Sequence, residues 1–196
     1  MFVFVIYLSK NIFCQSTNRL RPNKSKLFMR KLILLAVLLS TFASWSQNPI
    51  AYDLFDQALK KAEVGNLKGA IADYTKAIRV DPLFAEAYLN RALLKQKSGD
   101  IKGALDDVNK TIIIEPKKGD AYTTRADINY KSKNYTQAIE DCTSSIALNP
   151  KDYIAYNLRG LSNIHIQNKK NACADFINAI KFGSQSAIKN KKMFCK

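Results

Sequence analysis

The chain has 196 residues and a formal net charge of +15, from 31 Lys and Arg against 16 Asp and Glu, with a single histidine. One histidine leaves little for a metal centre or imidazole catalysis, and the sequence contains neither a Cys-x-x-Cys pair nor a phosphate-binding glycine loop. No metal, no cofactor and no catalytic constellation is expected, so the composition points to binding rather than to chemistry.

Residues 1–46 carry seven basic residues (Lys10, Arg19, Arg21, Lys24, Lys26, Arg30 and Lys31) and no acidic one. Within them Met29-Arg30-Lys31 precedes the apolar run Leu32–Leu39, and small residues follow up to Ser46. A basic start, a short apolar stretch and small residues beyond it predict a secretory signal peptide over 29–46, cleaved after Ser46. The run is short of the roughly 20 apolar residues that a membrane-spanning helix needs. Met29 is then the expected initiator, and 1–28 is upstream read-through or a disordered leader. Cys14 lacks the small residues expected before a lipid-modified cysteine. The expected mature chain, Gln47 to Lys196, is exported to the periplasm or secreted, and its 24 basic and 16 acidic residues leave about +8.

From Asn48-Pro49, which reads as an N-cap followed by proline in the first helical turn, the chain repeats itself every 34 residues. Pro82, Pro116 and Pro150 mark the step, as do Ala70, Ala104, Ala138 and Ala172. Tyr88, Tyr122 and Tyr156 keep it too, with Leu54 in their place in the first copy. Each copy reads as two helices. In the second, Tyr88, Ala92 and Leu94 recur at helical spacing, Gly99 interrupts, and Ile101, Ala104, Leu105 and Val108 resume up to Pro116. Glycine at the break accepts a positive φ, and proline cannot continue a helix. Small residues (Ala58, Ala92, Ala126, Gly160) let the two backbones approach, while Tyr74, Val108, Cys142 and Phe176 fill the space between repeats.

On these residues the chain resembles the tetratricopeptide repeat (TPR) proteins over about Ala51 to Gly183. The resemblance implies an all-α, right-handed solenoid of four helix-turn-helix repeats, about 51–84, 85–118, 119–152 and 153–183. A C-terminal capping helix over 184–196 would cover the last repeat. Lys133 and Gln167 stand in place of the turn glycines Gly65 and Gly99, and Ser184 stands where a fourth proline would be. A left-handed residue at those two turns would cost on the order of 1 kcal/mol each.

Two charged columns run through the repeats: Arg91, Arg125 and Arg159 in the first helices, and Asp73, Asp107, Asp141 and Asp175 in the second. They read as a structural ion-pair ladder or, alternatively, as an arginine rail for an acidic ligand. Lysines near the ends of the first helices (Lys60, Lys61, Lys95, Lys97, Lys131, Lys133, Lys169 and Lys170) would line up as a basic edge, or simply complement helix dipoles. The resemblance places the ligand surface on the concave face of the first helices. There it sets Phe55, Leu59 and Ala62, then Leu89, Leu93 and Gln96, then Thr123, Asp127 and Tyr130, then Asn157, Leu161 and Ile164. The basic and asparagine clamp by which some relatives hold a chaperone's terminal carboxylate is not reproduced, since Phe55, Leu59, Asp120 and Thr124 occupy those places.

Cys173 and Cys195 lie 11 residues either side of Ser184, so a hairpin turning there sets them opposite one another. Export permits a disulfide, and one is expected between Cys173 and Cys195, with two free thiols or a metal site as the alternatives. Cys142 reads as a buried free thiol. The function expected is a non-enzymatic protein–protein interaction module that binds a peptide or helix in its groove, within a bacterial envelope assembly. The alternative is a polyanion binder using the lysine edge. Nucleic acid is the less favoured polyanion, since no aromatics are interleaved with the lysines, and membrane association is expected only through a partner.

Overall fold

A computed structural model describes residues 48–196. The expected signal peptide over 29–46, the residues before it and Cys14 lie outside the described residues. Nine helices and no strands occur among those described, in the order α1 Pro49–Glu63, α2 Leu67–Val80, α3 Ala85–Ser98, α4 Ile101–Ile114, α5 Gly119–Lys131, α6 Tyr135–Leu148, α7 Tyr153–His165, α8 Lys169–Lys181 and α9 Gln185–Phe194. Consecutive helices pack on one another in four pairs, α1–α2, α3–α4, α5–α6 and α7–α8, with α9 laid against α8 and α7.

Local chemistry sets the ends of these helices. Asn48 accepts the Ile50 amide at 3.0 Å and Pro49 follows it at the first helical position, where a missing N–H costs nothing. Asn66, Asp100 and Asn168 cap the second helices by accepting from the third amide of each. Ser184, in place of a fourth proline, caps α9 by accepting the Ala187 amide. At the turns inside the pairs, Gly65 and Gly99 have φ of +78° and +90°, and Lys133 and Gln167 hold the same left-handed conformation at +64° and +63°. The turn therefore demands that conformation whatever residue supplies it. Lys133→Gly and Gln167→Gly should each raise stability by up to about 1 kcal/mol, because the Cβ penalty goes while glycine's extra freedom in the unfolded chain offsets part of the gain. Thermal unfolding reads this as a higher Tm, and a lower Tm would mean that side-chain contacts outweigh the backbone strain.

The stacking of repeats explains a column that the period alone left unassigned. Ala87, Ala121 and Ala155 are fully buried, each in a core shared with the preceding helix pair. The residue one step earlier, Asp53 on α1, is exposed, as are Asp56, Gln57 and Lys60 on the same helix. Nothing among the described residues lies in front of α1, and its polar outer face suits an end of the stack. At the other end, α8 has 13 residues where the other second helices have 14, and the connection before α9 is three residues long where the other three between pairs have four. This brings Ala187 rather than a residue 34 after Ala155 into the last core, with Phe176 and Ala179.

Candidate functional site

Between the two helices of each pair runs a polar ladder. Arg91 donates through Nε and Nη2 to the two carboxylate oxygens of Asp107 at 2.8 and 2.7 Å. Arg125 reaches Asp141 in the same way, with its shortest contact at 2.6 Å, and Arg159 reaches Asp175 at 3.0 and 2.7 Å. All four aspartates of the column are buried. The remaining guanidinium nitrogen turns back to the preceding pair: Nη1 donates to Thr75, Asn109 and Thr143 at 2.9, 2.8 and 3.1 Å respectively. Each arginine thus ties three helices, and the columns are structural rather than a rail for a ligand. The tyrosine column belongs to the same device, since Tyr88, Tyr122 and Tyr156 lie with their rings 5.6, 5.7 and 5.6 Å from the guanidinium carbons.

Among the described residues the first pair has no predecessor to tie, and it carries Gln57 and Leu54 where the others have arginine and tyrosine. Its Asp73 is served instead by Lys61 and by Lys76, the latter at 2.8 Å. The Lys61 hydrogen bond, then that of Lys76, holds the Asp73 carboxyl below the usual carboxylate range against the opposing effect of burial. Lys61 opens a further column. One step on, Lys95 pairs with Asp107 at 2.9 Å; after it Asn129 and Asn163 donate to Asp141 and Asp175 at 3.1 and 3.4 Å.

That column dissolves the basic edge. Lys61 and Lys95 share a repeat position, but Lys131 is one step from Lys97, Lys133 from Gly99, and Lys169 from Tyr135. Residues at different positions of the repeat project in different directions, at about 100° per residue along a helix. Lys61 and Lys95 point into the ladder, Lys131 pairs with Asp127 at 2.6 Å, and Lys169 donates to the backbone oxygen of Lys196 at 3.0 Å. Among the described residues no ion pair engages Lys60, Lys97, Lys133 or Lys170.

The inner face of the first helices is where the resemblance put the ligand surface. Leu93, 42% exposed, is the one large apolar side chain there that stands open. Leu59, Leu89, Leu161 and Ile164 are half-buried and pack against the cores of their pairs. Phe55 is a structural residue, with its ring 5.4 Å from Tyr74 and 5.0 Å from Phe84. The polar groups of the face are already engaged. Gln96 donates to Asp127 at 2.8 Å across the repeat boundary, Thr123 and Ser145 both donate to Asp152 at 2.7 Å, and Asn157 accepts from Asn190 of α9 at 2.9 Å. These bonds make the face a fixed relief rather than a set of loose side chains.

One feature of that face escaped the sequence reading. His165 stacks on Tyr135 with ring centroids 4.2 Å apart, and Tyr130 meets both edge-on at 5.7 Å. The three come from α5, α6 and α7, and only the inner-face position of Tyr130 hinted at them. Burial first, then the neighbouring Tyr135 and Asp127, pushes the Tyr130 phenol above its ordinary value. Elsewhere Cys173 and Cys195 form a disulfide joining α8 to the end of α9. Cys142 is a buried thiol whose ionisation burial pushes far up, so it is not a nucleophile at neutral pH. Among the described residues no group of three His, Cys, Asp or Glu could hold a metal ion, and no helix is long and apolar enough to cross a membrane.

Comparison with known proteins decides the family. Residues 61–99 match the profile described as TPR repeat, and residues 119–152 that described as tetratricopeptide repeat. The chain is a tetratricopeptide repeat protein. No curated protein matches the TPR chain in sequence. Among solved structures, the MamA protein shares 23% identity at a TM-score of 0.63, over 68% of this chain and 73% of that one. Pseudomonas aeruginosa PilF shares 18% at 0.66, over 71% and 64%. The first TPR domain of Spaghetti (RPAP3), solved with an HSP90 peptide, shares 21% at 0.60, over 62% and 96%. These likenesses establish an all-α TPR solenoid. TPR solenoids serve in general as protein–protein interaction modules, scaffolds rather than enzymes.

Proposed function

We propose that this TPR protein docks a peptide or amphipathic helix of a protein partner on the inner face of α1, α3, α5 and α7, without catalysing a reaction. The observation that carries the reading is the contrast at Leu93: an open apolar side chain on a face whose other members are locked by packing and hydrogen bonds. Such a face offers one anchor, flanked by Leu59, Leu89 and Leu161 and bounded by the Tyr130–Tyr135–His165 aromatic group, which suits an apolar residue of a helix or strand. The RPAP3 domain, of which the shared fold covers 96%, is a peptide-bound relative in architecture. Because the carboxylate clamp is absent here, the peptide expected is apolar in its anchor rather than an acidic chain terminus.

We place this docking in a bacterial envelope assembly, periplasmic or secreted, on the ground of the signal-peptide pattern in residues 29–46. The other reading, a polyanion on the lysine edge, is left with only the scattered Lys60, Lys97, Lys133 and Lys170. Affinity capture of the tagged chain from a cell-envelope extract, at low and high salt, tests the proposal. The wild type should retain one or two proteins at high salt and Leu93→Glu should lose them, with its far-ultraviolet circular dichroism unchanged. Retention of the same proteins by Leu93→Glu would reject the inner face, and recovery of only salt-released nucleic acid or glycan would favour the polyanion.

A further inference from the structure

The net charge of the described part of the chain is not spread along it. Residues 48–168 hold seventeen basic and fifteen acidic residues, whereas 169–196 hold seven lysines and one aspartate. That aspartate, Asp175, is buried and held by Arg159, so it screens none of the lysines. On α9 the side chains of Lys189, Lys191 and Lys192 are exposed, and among them stand Ile188 and Met193, 48% and 55% exposed. An open cleft of about 580 Å³ is lined by Ile180, Ile188 and Cys195, with Lys191, Lys192 and Lys196 around it.

We propose that this C-terminal end of the solenoid docks directly on an anionic phospholipid surface, through the ammonium groups of α9 with Ile188 and Met193 entering the headgroup region. A solubilising cap alone does not account for the pattern. The opposite end of the stack also exposes apolar side chains, Ile50 and Val64, but it is capped by both signs, Asp53, Asp56 and Lys60, while this end sets its two apolar side chains among charges of one sign. The cations are all lysines; arginine's planar fork, which recognises a phosphate at a fixed geometry, is not used, and lysine's point charge suits headgroups in no fixed arrangement. An amphipathic cationic helix lying in the interface needs no membrane-spanning length. The helix is also held in place, by the Cys173–Cys195 disulfide at its end and by the Asn190–Asn157 hydrogen bond in its middle. The proposal is independent of what the inner face binds.

Co-sedimentation of the full chain with vesicles tests it, comparing phosphatidylglycerol mixed into phosphatidylcholine with phosphatidylcholine alone. Each lysine near an anionic surface contributes on the order of a fivefold gain. Replacing Lys189, Lys191, Lys192 and Lys196 by Gln should therefore lower binding to the anionic vesicles by at least about a hundredfold, while the same replacement of Lys68, Lys102, Lys110 and Lys117 changes it by less than about tenfold. Ile188→Ser with Met193→Ser, which leaves the charge alone, should weaken binding several-fold, and added salt should release the wild type. The N-terminal segment is common to all these chains and cancels in the comparison. Equal binding to both vesicle types, or equal loss in the two lysine sets, would overturn the proposal.

Discussion

Arg159→Ala lowers the stability of the fold by about 3 kcal/mol, the loss typical of a buried charge deprived of its partner. Asp175 is 4% exposed and receives two hydrogen bonds from Arg159, at 3.0 and 2.7 Å, against a single long one of 3.4 Å from Asn163. Removing the guanidinium leaves that carboxylate nearly unpaired and also cuts the contact to Thr143 on the preceding pair. Urea unfolding should show the lower midpoint. Adding Asp175→Leu to the variant should recover much of the loss, since replacing both members of a buried pair by apolar groups is often neutral. Lys131→Ala provides the contrast: its pair with Asp127 is 56% and 37% exposed at the two side chains, and exposed pairs contribute roughly 0–1 kcal/mol. A loss below 1 kcal/mol for Arg159→Ala would mean that water reaches Asp175 and that the ladder is decorative.

Gly160→Ala destabilises the fourth pair by about 1–3 kcal/mol, the range for forcing an added methyl group into a filled core. A Cβ at that position would lie 2.6 and 2.8 Å from two ring carbons of Phe176, which is fully buried and cannot swing into solvent. Ala92 and Ala126 occupy the same repeat position in cores filled by Val108 and Cys142. Ala58 shares its core with Tyr74, so the clash follows from how the Phe176 ring lies rather than from ring size alone. Phe176→Val should then rescue Gly160→Ala and, on the wild-type background, cost stability by leaving a cavity. If the two substitutions were simply additive in thermal unfolding, the contact between them would not be the cause.

The period of 34, the turn glycines and the proline breaks were legible because each is a local property repeated in register, whereas of the capping side chains only Asn48 was read from the sequence. Asn48, the left-handed turns and the small-residue columns needed nothing beyond their own neighbours. The lysines were misread for a related reason. Lys61, Lys95, Asn129 and Asn163 form one structural column of mixed residue types, whereas the eight lysines of the expected edge are spread over several repeat positions, only Lys61 with Lys95 and Lys97 with Lys131 sharing one. Phe55 has the sequence position of an inner-face residue, and only the packing of Tyr74 and Phe84 around it shows that it is core. The Tyr135–His165 stack joins the first residue of α6 to the last residue of α7 in the next repeat, a contact that no spacing within one repeat encodes. Charge was visible in the sequence, but a total over the whole chain hid that six of the eight excess positive charges after Gln47 sit in residues 169–196.

The central claim is that the inner face of the first helices receives the partner. Hydrogen–deuterium exchange on the captured complex against the free chain tests it most directly. Slower exchange confined to peptides of α1, α3, α5 and α7, centred on Leu93, is the result this reading predicts. Protection confined to α9, or to the second helices α2, α4 and α6, with the inner face unchanged, would contradict it.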